Sequence, residues 1–290
     1  MEITKAPLKV LVGLDLSKMD QHLLDYINTL EQILDFDKIT FLHNIKVTEL
    51  PSGMLSADKL DEIRRKVKTK ITRDIKSSGL NYAFDVAVTS DRFSETSFSN
   101  ISEKQRYDLL ILGNKQNLRG NGALTNKLVR LFPSPVMLVP ETFKTPIKSV
   151  VEAITFSKYT KGIVDWSNKF ETNRLGETIV KLPVHVSKIF YYPLMPQKEI
   201  DQITQEDRLA KEKKWAKEFP ELKPLKVISS HEEGIATSLN NYAEAENAEV
   251  MILGIKSDSM IKDLFIGSVA NEILIRPTNV ALLFIKPSKA

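Results

Sequence analysis

Two hydrophobic rhythms alternate along the chain. Short unbroken apolar runs, "LKVLVGL" (8–14), "ITFLHNI" (39–45), "AFDVAVT" (83–89), "LLILG" (109–113) and "PVMLV" (135–139), are separated by stretches whose apolar positions recur every three or four residues. In "QHLLDYINTLEQIL" (21–34), Leu23, Leu24, Ile27, Leu30 and Ile33 fall on one helical face and predict a core-facing stripe. Strands that read as continuous apolar runs and alternate with helices predict βαβ units and a parallel sheet covered on both faces.

The same rhythm then repeats. "YDLLILGNK" (107–115) corresponds to "AEVMILGIK" (248–256), and "NKLVRLFPSPVMLVP" (126–140) to "NEILIRPTNVALLFIKP" (271–287). "LKVLVGLDLSK" (8–18) corresponds to "KSVVEAITFSK" (148–158), which sets Asp15 opposite Thr155. A long internal repeat decides architecture before any single motif does. For the second half, "KIFYY" (188–192) is expected as the second strand and "LKVIS" (225–229) as the third. Between them, "DQITQEDRLAKEKKWAKEF" (201–219) is charged around most of its circumference apart from Ile203, Leu209, Trp215 and Phe219, so it is expected as an outer helix with Trp215 as a packing anchor. Residues 171–186 exceed their first-half counterpart and receive no element. The segment 139–150, with two prolines and no period, separates two expected domains, 1–143 and 147–290.

Bulk properties narrow the picture. A chain of 290 residues exceeds one ordinary domain, and 42% apolar with 27% charged residues is ordinary globular composition. The net charge of +4 is a small, dispersed excess, and the densest basic stretch, residues 64–70, has helical character without interleaved aromatics. It is expected as a solvated helix face, and no nucleic-acid partner is expected. The absence of cysteine excludes disulfides, thiolate metal sites and a cysteine nucleophile. No apolar run exceeds strand length and residues 1–7 hold no signal-peptide core, so a cytoplasmic protein without a membrane partner is expected.

Candidate chemistry concentrates where an apolar run ends in glycine. In "GIKSDSMIKDLFIGSVANEIL" (254–274), Gly254 closes a strand and Gly267-Ser268 opens a helix. Bare backbone N–H groups at such a place can approach phosphate closely, whereas the bland reading is two turns. Catalytic motifs are missing. There is no Gly-x-Ser-x-Gly and no Gly-x-x-x-x-Gly-Lys-Ser/Thr. His22, His43, His185 and His231 are scattered, "HEEG" (231–234) lacks the second histidine of a zinc helix, and His43 is expected as a satisfied core or edge residue. No general base is evident in the second copy, so no dedicated enzyme is expected.

With the repeat, the strand sequence and the glycine spacing together, the chain resembles the universal stress protein family as a tandem member. The family pattern is Gly, two residues, Gly, nine residues, Gly, then Ser or Thr; the second copy matches it with Gly254, Lys256, Ser257 in place of the second glycine, nine residues 258–266, then Gly267 and Ser268. The resemblance implies an α/β fold of two doubly wound domains, each a five-stranded parallel sheet of order 3-2-1-4-5 flanked by helices. It also implies ligand binding at the carboxyl ends of strands one and four, where the connections diverge. In ATP-binding members an Asp ending strand one meets ribose or metal, the glycine loop holds phosphates, and backbone ending strand two meets adenine.

Each copy departs from that pattern differently. The first keeps Asp15, Gly113 and Lys115, but Gln116 replaces the second glycine, and a shorter loop runs to Gly122 with Ala123 in place of the hydroxyl residue. Asp15 is open to a structural role near Ser17 as well as to a ligand. The second keeps the loop but has Thr155 for the Asp, followed by Phe156. Thr155 cannot hold a metal as a carboxylate would, so any Mg²⁺ dependence should weaken. The implied function is a stress-associated protein binding ATP or another adenine nucleotide, or a related small phosphate ligand, mainly through the second copy. The alternative is an interaction scaffold of the same fold, with protein partners open. Strands "PVMLV" and "VALLFI" are expected to pair within the chain as a pseudo-dimer, because unpaired apolar edges are a liability; higher homo-oligomers stay open.

Overall fold

The computed structural model describes residues 6–116, 118, 122–188, 195–230, 233–255 and 267–286. Its first half runs β1 (Leu8–Leu14), α1 (Met19–Leu30), β2 (Phe36–Asn44), α2 (Ala57–Ser77), β3 (Phe84–Thr89), α3 (Ser94–Lys104), β4 (Leu109–Asn114), α4 (Ala123–Leu131) and β5 (Val136–Pro140). The second half repeats it as β6 (Ser149–Ala153), α5 (Thr160–Ser167), β7 (Val180–Lys188), α6 (Gln197–Glu218), β8 (Lys226–Ser230), α7 (Gly234–Ala245), β9 (Val250–Gly254), α8 (Ser268–Ile275) and β10 (Ala281–Ile285).

The strand order is β3-β2-β1-β4-β5-β10-β9-β6-β7-β8, one sheet of ten strands. Each half is a parallel 3-2-1-4-5 sheet, as expected, and the two join through antiparallel β5 and β10. Leu282 faces Leu138, Leu283 faces Met137 and Phe284 faces Val136, all fully buried. These are the two strands that would otherwise be exposed apolar edges. Side chains alternate across the sheet, so Val10 and Val12 enter one layer of core with α1, while Leu11 enters the other with Phe98 of α3 and Leu128 of α4.

Helical faces follow their periodicities. Leu23, Leu24, Ile27 and Leu30 of α1 are buried, while Ile33 lies beyond the helix and is partly buried. The basic stretch lies on α2, where Arg64 pairs with Asp61, Lys66 with Glu62 and Lys70 with Asp74 along the solvated face. On α6 the buried residues are Ile200 and Trp215, whereas Ile203 and Leu209 are exposed. Trp215 donates its indole N–H to the Lys223 carbonyl at 2.8 Å and packs on Phe219, so it is an anchor.

One expected element is misplaced. The second strand of the second half is β7, which ends at Lys188 instead of starting there. Within it Pro183 sits opposite Glu152, removing one ladder donor, and charged residues interrupt the apolar run. Both features lower its strand signal below that of the aromatic run after it, and residues 189–192 of the expected strand lie outside the described residues. The unassigned stretch ahead of β7 holds a small antiparallel bridge, Thr172 with Thr178, and reaches the first half: Arg174 donates its backbone N–H to the Gln32 carbonyl at 2.7 Å.

Candidate functional site

The carboxyl ends of β1 and β4 are neighbours in the sheet, and their chains leave toward opposite faces through α1 and α4. A crevice at such a switch point follows from topology alone. In the first half it is a cavity of about 650 Å³, lined by Asp15, Asp20, His43, Gly113, Lys115, Gly122 and Ala123 among others. All four first-half candidates, Asp15, Gly113, Lys115 and Gly122, therefore meet at one place.

The turn after β1 is built by side chains. Leu16 takes a left-handed φ of 62°, and the Asp20 carboxylate accepts the backbone N–H groups of Asp15 and Leu16, each at 2.9 Å. Asp15 in turn accepts the Ser17 N–H at 3.1 Å, and the Ser17 hydroxyl accepts that of Met19 at 3.2 Å. The structural role for Asp15 near Ser17 is thus present. Its other oxygen pairs with the Lys115 ammonium, so it also faces the cavity.

Charges in the cavity are tuned by burial and by each other. Burial opposes the Asp15 charge, but hydrogen bonds from Lys115 and Ser17 outweigh it and hold the carboxyl below its ordinary range. Asp20 is pushed up to about 6, by burial first, against its two backbone donors, and further by the Asp15 charge. His43 hydrogen bonds through Nδ1 to the Leu14 carbonyl at 3.0 Å, and burial lowers its pKa. A carbonyl only accepts, so Nδ1 carries the proton and the neutral ring is left with Nε2 as an acceptor. The expectation of a satisfied core histidine fits this bond.

The second half reproduces the scaffold with different chemistry. Phe156 has φ 52° where Leu16 has 62°, and the Thr160 hydroxyl, in the place of Asp20, accepts the Ser157 N–H at 3.1 Å. Thr155 and Ser157 share a hydroxyl hydrogen bond of 2.8 Å. His185 bonds through Nδ1 to the Ile154 carbonyl at 2.8 Å, the counterpart of His43. Asp20 was not singled out from sequence, and the two histidines were not recognised there as equivalent. Misplacing β7 hid the correspondence of His43 with His185, each of which bonds the carbonyl of the residue just before Asp15 or Thr155.

The strand-end glycines have a packing reason. A Cβ at Gly113 would lie 2.3 Å from Cγ of Met19, and one at Gly254 would lie 2.7 Å from Cβ of Tyr159. Met19 and Tyr159 are equivalent residues at the starts of the first helices, so in both halves glycine lets that helix close onto the strand. Gly122, with φ 63°, needs its glycine for backbone conformation and precedes α4. Gly267 precedes α8 with φ −55° and ψ 149°, and Ser268 is the first residue of that helix. Lys256 and Ser257 lie outside the described residues. No cluster of three or more metal-ligating side chains occurs among the described residues, and no described helix is long and apolar enough to cross a membrane.

A doubly wound α/β sheet with a crevice at its switch point defines a broad class of small-ligand folds. Within it, residues 146–281 match the model of the universal stress protein family. That match lies in the second half of the chain, and the first half repeats the same fold. A universal stress protein from Archaeoglobus fulgidus has a similar structure over 97% of this chain and 98% of its own, with a TM-score of 0.66 at 17% identity. A functionally unknown protein from Pseudomonas aeruginosa is similar over 97% of this chain and 93% of its own, with a TM-score of 0.64 at 14% identity. At these identities the likeness is one of fold, and it spans both halves. No curated protein matches the chain in sequence.

Proposed function

We propose that this protein binds an adenine nucleotide or a related phosphate compound at the carboxyl end of its sheet, as a stress-associated binding protein without a dedicated catalytic site. The observation that carries the reading is the first-half cavity, in which an anion would meet the Lys115 ammonium and the positive end of α4, with Asp15 beside them for ribose hydroxyls. This donor set fits a nucleotide. The reading extends the expected second-half site around Thr155, Gly254, Gly267 and Ser268 to the first half, and makes the first half the one to test first.

Calorimetry with ATP, ADP and AMP on the full chain tests it, using Ala123→Asp and Gly267→Asp. Each puts a carboxylate at a helix N-terminus, which suits the helix dipole but repels phosphate. Binding abolished by Ala123→Asp assigns the first half; binding abolished by Gly267→Asp assigns the second. The absence of both heat and a thermal shift at millimolar nucleotide would sink the reading. A scaffold role has one observation in its favour: Gln116, at the position of the family's second glycine, is engaged in a contact between the halves. Its amide donates to the Thr278 carbonyl at 2.7 Å and accepts the Thr278 N–H at 3.0 Å.

A further inference from the structure

We propose that the first-half cleft continues into a second compartment, and that the groove as a whole takes a dinucleoside polyphosphate: two bases joined through a phosphate chain. The inference rests on the nucleotide reading above. A depression of about 300 Å³ adjoins the larger cavity, and the two share Lys46, Ser94, Ala123 and Leu124 along their common wall. The shared residues lie beside the start of α4, where phosphates would be held.

The two compartments differ in charge. At the α1 end stand Asp15 and Asp20 with Lys115. The smaller compartment is lined by Lys46, Arg92 and Lys127 against one carboxylate, Glu95. Lys46 pairs with Glu49 at 2.9 Å and Lys127 with Glu95 at 2.7 Å, exposed pairs that a polyphosphate can outcompete because each contributes little in water. Acids with two lysines, Lys115 and the shared Lys46, line the larger compartment, while three cations and one exposed aromatic line the smaller, a set that suits ribose hydroxyls, a phosphate chain and a second base.

The aromatic is Phe93. It is 53% exposed at the entry to α3, while Phe98 of the same helix is buried in the core. The Arg92 guanidinium lies 5.3 Å from the centre of the Phe93 ring. An exposed ring backed by a guanidinium is a platform for a planar base, and a stacked base is held about tenfold more tightly, up to about a hundredfold. Nothing in the core requires the ring there. A mononucleotide in the main cavity would leave it unused.

The test is calorimetry of the full chain with ATP and with diadenosine tetraphosphate, on wild type, Phe93→Ala, Phe93→Tyr and Arg92→Ala. The tetraphosphate is expected to bind about tenfold more tightly than ATP. Phe93→Ala should remove that advantage and leave ATP affinity unchanged, Phe93→Tyr should keep it, and Arg92→Ala should reduce it. Both positions are exposed, and an unchanged thermal midpoint verifies folding. If ATP binds but the tetraphosphate binds no better, or if Phe93→Ala weakens both alike, the two-compartment inference fails while the nucleotide reading stands. If neither compound binds, both fail.

Discussion

Asp20 is the carboxyl whose ionisation the fold opposes most directly at the cleft. In the unfolded chain it titrates near 3.8, and in the fold at about 6. A raised folded pKa means that the folded state favours the proton. The associated stability is therefore complete below about 3.8 and is lost as pH rises through about 6. Asp15 works in the opposite sense, since its carboxyl is lowered and its contribution disappears only as pH falls through that lowered value. Asp20→Asn, which cannot ionise, should flatten the loss between about pH 4 and pH 7, by up to about 3 kcal/mol relative to wild type. Chemical denaturation across that range measures it, and parallel profiles for the two proteins would count against the assignment. The sequence marked Asp15 through the family pattern but not Asp20, because a carboxylate in the first turn of a helix ordinarily reads as a favourable dipole partner. Only the fold shows that it faces back onto the backbone of Asp15 and Leu16.

Among elements, the close seating of each half's first helix on the fourth strand defines the floor of each crevice. Gly254→Ala pushes a methyl group to 2.7 Å from Cβ of Tyr159, an atom fixed to the α5 backbone, so the helix or the strand must shift. Overpacking of that kind costs about 1–3 kcal/mol. The expected loss of unfolding free energy should be the same with and without millimolar nucleotide, because the clash does not depend on a ligand. A stability loss seen only in the presence of nucleotide would instead make Gly254 a ligand residue. The glycine was legible in the sequence, but its reason was not: phosphate approach and helix approach ask for the same residue. The strand order was also legible, since unbroken apolar runs in a repeated sequence leave few topologies. β7 was lost because position within a sheet overrides local preference. Its pairing with β8 begins only at Val184, so Pro183 lies ahead of that ladder and is tolerated.

At the scale of the molecule, the halves are joined by more than their shared sheet. The Arg130 guanidinium donates to the Asn271 side chain at 3.1 Å, the Lys286 ammonium to the Arg130 carbonyl at 3.1 Å, and the Thr142 hydroxyl to Asn279 at 2.6 Å. Gln116 differs from these contacts because it satisfies both the N–H and the carbonyl of Thr278, a residue only 4% exposed, as a neighbouring strand would. Gln116→Ala leaves both groups without that partner, and an unsatisfied buried polar group costs about 1–3 kcal/mol. Gln116→Glu keeps an acceptor for the Thr278 N–H but removes the donor and sets an acidic oxygen against the carbonyl, so it should be no milder. Gln116→Gly restores the residue of the family pattern and should destabilise as Ala does, yet it frees the loop beside Lys115. Denaturant unfolding therefore separates two roles. If Gln116 is a clamp between the halves, all three variants lower the midpoint, and Gln116→Gly gains nucleotide affinity only through its loop. Unchanged midpoints would show that the buried strands β5 and β10 hold the halves together unaided, and that the glutamine has no part in joining them.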